Sequence, residues 1–122
     1  MLDGGQPEKP AILVISAHAG PLETEVLAGI EEEGVPFVVD RPRVLQGAVE
    51  MAVAAAGRSS LSVGVGIDAD GRICVQHDKL VGPLEELCSD AHTHPTWARM
   101  FGHNAARIVV GIPLIEIDGT SL

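Results

Sequence analysis

Residues 11–17 carry an apolar run in which Ile12, Val14 and Ile15 are β-branched, with no alternation of apolar and charged side chains. A strand of that kind has no face to give to water. It must lie in a sheet covered on both sides, as in the mostly parallel sheets of α/β proteins. The following segments supply the cover. Gly20 and Pro21 turn the chain into a helix with Leu22, Val26, Leu27 and Ile30 on one side, and Gly34 and Pro36 stop it. A short apolar strand, Phe37, Val38 and Val39, ends at Asp40. Pro42 then leads into a helix expected over residues 44–56, where Ala48, Ala52, Ala55 and Ala56 permit close approach of a neighbouring element. This opening is βαβα. Residues 61–67 and 72–76 flank Asp68, Ala69, Asp70 and Gly71, whose Asp-Gly pair predicts a hairpin and hence a mixed sheet. Beyond it the sequence predicts a short helix over 84–88, a helix over 96–106, a strand-like segment over 107–112 and an apolar stretch to Ile117. The fold class is α/β: one three-layer α/β/α domain over residues 11–122 behind a tail at 1–10, its sheet mostly parallel but mixed, with a β-hairpin in the C-terminal half.

Three consecutive carboxylates, Glu31, Glu32 and Glu33, fall at the end of the first helix, directly before Gly34. A helix C-terminus carries partial negative charge, so acidic side chains are disfavoured there and Lys or Arg is the expected choice. Two readings follow. Either the run is a solvated acidic face, or one of these groups meets a cation or a basic partner supplied from outside this chain.

Composition narrows the function classes. The 122 residues include 17 acidic and 8 basic side chains, a formal charge of −9. Nucleic acid and anionic membrane surfaces both require clustered Lys and Arg, so neither is an expected partner. With no Tyr, two Phe and one Trp, there are few platforms for stacking bases or sugars. The first residues lack the basic then apolar pattern of a secretory signal, and the apolar run at 108–110 is far too short to span a bilayer. A soluble intracellular chain is expected, with Cys74 and Cys88 as reduced thiols.

Several other patterns carry less chemistry than their letters suggest. Gly64, Val65 and Gly66 lie in a strand that runs into a hairpin, whereas a dinucleotide fingerprint needs a further glycine opening a helix. The 68–71 stretch lacks the ligands that close a calcium loop. Cys74, His77, Cys88, His92 and His94 are zinc-type residues, but their spacing matches no compact zinc module, and no metal is assigned to them. His18, at the exit of the first strand, could line a cleft at the C-terminal sheet edge, with Ser16 nearby; it is read as a loop histidine.

Set in chain order, His18-Ala19-Gly20, the run from Leu27 through Glu31-Glu32-Glu33-Gly34 to Pro36, the 62–67 strand with its hairpin ending at Leu80, and the Gly102-His103-Asn104-Ala105-Ala106-Arg107 stretch leading into Val110-Gly111-Ile112-Pro113-Leu114 resemble the small (beta) subunit of diol or glycerol dehydratase-reactivating factors. That family is related to the medium subunit of adenosylcobalamin-dependent dehydratases. The resemblance covers most of residues 12–114; residues 81–95, with His92 and His94, match nothing in it.

The resemblance implies a non-catalytic, chaperone-like subunit. Its expected partners are a large subunit that alone binds and hydrolyses ATP, and a cobalamin-dependent diol or glycerol dehydratase from which damaged cofactor is released by subunit exchange. It also implies that a glutamate of the small subunit completes a Mg2+ site held mainly by the large one. The matching position is Glu32, with Glu31 and Glu33 as substitutes, and the family commonly has an amide where Glu33 stands. The implied location is the cytoplasm, including the interior of a bacterial microcompartment. Two alternatives stand beside it: a dehydratase medium subunit, which usually carries an additional N-terminal region, and a small-ligand-binding α/β protein with its pocket at His18.

Overall fold

A computed structural model describes residues 9–117; most of the expected tail at 1–10, and residues 118–122, lie outside the described residues. The elements are β1 (Ile12–Ser16), α1 (Pro21–Glu32), β2 (Phe37–Asp40), α2 (Ala48–Arg58), β3 (Val63–Ile67), β4 (Ile73–His77) and α3 (Pro95–Val110), with one turn of 3-10 helix at Glu85–Leu87. The strands form one sheet in the order β2-β1-β3-β4, in which β1 pairs parallel with β2 and β3, and β3 pairs antiparallel with β4. This is the mixed, mostly parallel α/β sheet that the sequence predicts.

The strand sequences sort their side chains between two helical layers. Ile12 and Val14 of β1, Val63, Val65 and Ile67 of β3, and Ile73 and Val75 of β4 share one core with Val26 and Ile30 of α1 and Phe101 and Ala105 of α3. The alternate residues Leu13 and Ile15 pack on Met51 and Ala55 of α2, on the opposite face. Every residue of β1 and of β3 is buried, as a strand covered on both sides must be. On the α2 face β3 presents Gly64 and Gly66, and a Cβ at either would overlap the α2 backbone, at Ala56 and Ala48 respectively. The glycines of β3 and the alanines of α2 are thus two halves of one close contact.

Three expectations are corrected. The second helix starts at Ala48 rather than residue 44, because extended Gly47 caps it and the residues between Pro42 and Gly47 run as a loop that leaves Leu45 83% exposed. The segment 107–112 is not a strand. Its β-branched residues continue α3 to Val110, where Ile108 and Val109 pack on the core, and Gly111 ends the helix at φ 77° with its N–H on the Arg107 carbonyl; partial burial against that core overrides strand propensity. The apolar stretch to Ile117 runs without regular secondary structure. Its main chain is held by the buried Asn104 side chain, whose Nδ2 donates to the Ile115 carbonyl (2.9 Å) and whose Oδ1 accepts from the Ile115 N–H (2.6 Å). Finally, Cys74 and Cys88 are not separate thiols. They form a disulfide, their Cα atoms 4.1 Å apart across a one-residue antiparallel bridge between β4 and the segment after the 3-10 turn.

Candidate functional site

The end of α1 is shaped by Gly34. Its positive φ of 79° reverses the chain, and the N–H groups of Glu33 and Gly34 return to the carbonyls of Ile30 and Glu31. Glu32 and Glu33 are thereby held at the C-terminal pole of α1, and α1 has no basic residue in its last turn. The missing positive charge comes from α3. Arg99, His103 and Arg107, four residues apart, form one stripe on that helix. Arg99 engages Glu32 with two donors, Nε on Oε1 at 3.1 Å and Nη2 on Oε2, and reaches Glu25 one face length back along α1 with Nη1 at 3.0 Å. His103 lies between the two acids, Nε2 2.9 Å from Glu32 Oε1 and Nδ1 2.7 Å from Glu33 Oε2. Arg107 Nε donates to Glu33 Oε2 at 2.9 Å, and its Nη1 donates to the Pro113 carbonyl at 3.0 Å.

The acidic run is therefore not simply a solvated face: two of its three members, Glu32 and Glu33, are paired within the chain. Arg99 donors, with His103 behind them, hold the Glu32 carboxyl below its ordinary range, and Arg107 with His103 does the same for Glu33. Glu31 is exposed and has no ion-pair partner among the described residues. Glu32 is the more open of the paired acids, its side chain 44% exposed against 14% for Glu33.

The stripe was hidden in the sequence for a definite reason. The four-residue spacing of Arg99, His103 and Arg107 is a legible signal, but it is lost when Arg107 is assigned to a strand. Glu31 and Glu33 also cannot be ranked without knowing which side of α1 faces α3.

The other residues of interest lie apart from this cluster. Ser16 Oγ donates to the His18 backbone carbonyl at 3.0 Å and makes no contact with the imidazole, while His18 Nδ1 faces the Ala19 carbonyl at 3.1 Å. His18 lines neither of two surface depressions, one between residues 85–94 and α3, the other at the start of β1 and β2. His77 Nδ1 accepts from the Lys79 N–H, and His94 Nδ1 caps α3 by accepting from the Thr96 N–H. Asp68 Oδ1 accepts from the N–H groups of Asp70 and Arg72, making the 68–71 stretch a hairpin turn. Among the described residues no three His, Cys, Asp or Glu side chains converge as a metal-ligand set.

The family whose sequence profile is described as "Dehydratase medium subunit" matches residues 9–115. A propanediol dehydratase-reactivating factor small subunit from Citrobacter freundii is 40% identical over 111 residues, covering 88% of this chain and 91% of the relative. A diol dehydratase-reactivating factor small subunit from Klebsiella michiganensis is 38% identical over 109 residues, covering 88% and 84%. The chain belongs to the small subunits of dehydratase-reactivating factors. Solved structures agree. A glycerol dehydratase reactivase superimposes with a TM-score of 0.80 at 28% identity, covering 88% of this chain and 98% of that one. A diol dehydratase-reactivating factor complexed with ADP and Mg2+ does so with 0.76 at 35% identity, covering 89% and 100%.

In this reactivating-factor subunit, several residues that carry the family resemblance have positioning roles. A Cβ on Gly29 would overlap the Arg99 carbonyl, and a Cβ on Gly102 the Val26 carbonyl. These glycines bring α1 and α3 into backbone contact, and so bring the α3 stripe within reach of Glu25, Glu32 and Glu33. No described helix is long and apolar enough to cross a membrane.

Proposed function

We propose that the chain is the non-catalytic small subunit of a chaperone-like, ATP-dependent reactivating factor. It docks on a large subunit that binds and hydrolyses ATP, and it gives up that place to the medium subunit of an inactivated cobalamin-dependent diol or glycerol dehydratase, so that damaged cobalamin can leave. The observation that carries this reading is the double likeness of one domain. Residues 9–115 match the dehydratase medium-subunit family, while relatives matched over most of their length are reactivating-factor small subunits. Two chains of one fold can compete for one docking surface, and such competition needs no chemistry from this chain. The cytoplasm, or a bacterial microcompartment within it, is the location that fits. A permanent place as a dehydratase medium subunit is the second reading, favoured by the family profile; coverage of 91% and 84% of the two reactivating-factor relatives weighs against it.

Glu32 is the residue proposed to reach a divalent metal at the docking surface, with Glu31 and Glu33 as substitutes. The fit is that of a contributor. A half-exposed carboxylate is a suitable hard ligand for magnesium, which accepts one or two carboxylates beside water and other oxygens, but the remaining ligands would have to come from the partner. Glu33 is tied down by Arg107 and largely buried. When bound, magnesium would supply a shared charge that makes docking and metal occupancy mutually reinforcing. This chain's part is to hold the Glu32 backbone rigidly at the helix end.

Co-expression with the large subunit and a cobalamin-dependent dehydratase, followed by size exclusion with and without ATP and magnesium, tests the proposal. The expected result is a complex with the large subunit from which this chain is displaced when dehydratase and nucleotide are present. Failure to associate with the large subunit, or turnover of substrate by the isolated chain, would overturn it.

A further inference from the structure

Glu25, Glu32 and Glu33 share three partners on α3, Arg99, His103 and Arg107, and the sharing is unequal. Both partners of Glu32 hold a second acid: Arg99 keeps Glu25 at 3.0 Å, and His103 keeps Glu33 at 2.7 Å. Glu33 differs, because its other partner, Arg107, has no second carboxylate among the described residues and turns its spare donor to a carbonyl. Withdrawing Glu32 therefore strands no cation, whereas withdrawing Glu33 strands Arg107. Glu32 is also the most exposed of the three, at 44% against 30% for Glu25 and 14% for Glu33. It is the member built to leave.

Resting on the reading of Glu32 as a ligand contributed to a partner's magnesium site, we infer that Arg99 is a resident substitute for the divalent cation at Glu32, and that Glu25 is the acid that retains Arg99 when Glu32 turns outward. The guanidinium is suited to this. Its five donors already span both acids, so release of Glu32 breaks contacts at one end and leaves the other in place. The backbones cannot follow, because Gly29 is pressed on the Arg99 carbonyl; only side chains move. Two cations competing for one carboxylate are linked, and removing the resident must raise the affinity for the other. Removing Glu25 must do the reverse, since Arg99 then has Glu32 as its only carboxylate. Arg99 is thus a positioning residue that sets the magnesium concentration at which the subunits associate.

The test is a magnesium chloride titration, at fixed pH and ionic strength, of the full chain with the large subunit of a dehydratase-reactivating factor, following association by sedimentation. Exposed pairs of this kind are weak, so Arg99→Gln is expected to lower the magnesium midpoint about twofold to fivefold and Glu25→Gln to raise it by a similar factor. Glu32→Ala is expected to abolish the magnesium dependence. Each Gln variant removes one surface ion pair, so simple loosening of the fold would move both midpoints in the same direction. Shifts of equal sign, or none, with Glu32→Ala still effective, would overturn the inference and leave Glu32 as the ligand. A magnesium dependence that survives Glu32→Ala would remove both.

Discussion

Gly102 of α3 lies so close to Val26 of α1 that a Cβ on the glycine would overlap the valine carbonyl, and Gly29 stands in the same relation to Arg99. Because the obstructing atoms belong to the backbone, neither helix can make room by changing a rotamer. Gly29→Ala and Gly102→Ala are each expected to cost about 1–3 kcal/mol or more of unfolding free energy, in the range of overpacked cores, although alanine is the better helix former. Urea unfolding checks this, and a stability gain in either variant would contradict the packing described.

Asn104 is 1% exposed and makes both of its amide contacts with the main chain of Ile115. Replacing it with Ala removes both hydrogen bonds to the partly buried Ile115 main chain, at a cost of about 1–3 kcal/mol together. The expected signature is local as well as global: faster amide hydrogen exchange at Ile115, with the strands unaffected.

The Cys74–Cys88 bond spans a sequence separation of 14 and fastens the segment before α3 to β4. Constraint of a loop of about 15 residues in the unfolded chain stabilises by about 3 kcal/mol. Cys88→Ser, or reduction of the unmodified chain, is expected to lower the unfolding midpoint accordingly. Peptide mapping without reductant should recover the two cysteines in one linked fragment.

Asp40 ends β2 and receives Arg58 Nη2 on Oδ2 and the Arg41 N–H on Oδ1, each at 2.8 Å. Arg58 first, and the Arg41 N–H second, hold its carboxyl below the ordinary 3.8. A depressed folded-state value favours the ionised form in the fold, so its contribution is complete above the ordinary value and is lost as pH falls through the lowered one. The stability difference between the chain and Asp40→Asn should be constant near neutrality, shrink below about pH 4 and close at lower pH. A difference independent of pH would show that the ion pair contributes nothing.

Much of this was legible without coordinates. The unbroken apolar run at 11–17 required a doubly covered strand, the Asp-Gly pair at 70–71 required a turn, and Gly34 required a helix stop, because each follows from local sterics and burial. The order of short stretches also pointed to the reactivating-factor small subunits. The ends of α2 and α3 were not legible, since residues 44–47 and 108–110 have propensities that only their burial or exposure decides.

The sequence by itself determined that this chain folds as an α/β domain and that an acidic triplet ends its first helix, because periodicity and turn chemistry are read over a few neighbouring residues. Tertiary structure alone decided what that triplet does. Glu32 and Arg99 are 67 residues apart in the chain and meet only because two glycines let α1 and α3 touch. No local pattern records a contact between helix faces that are set by packing.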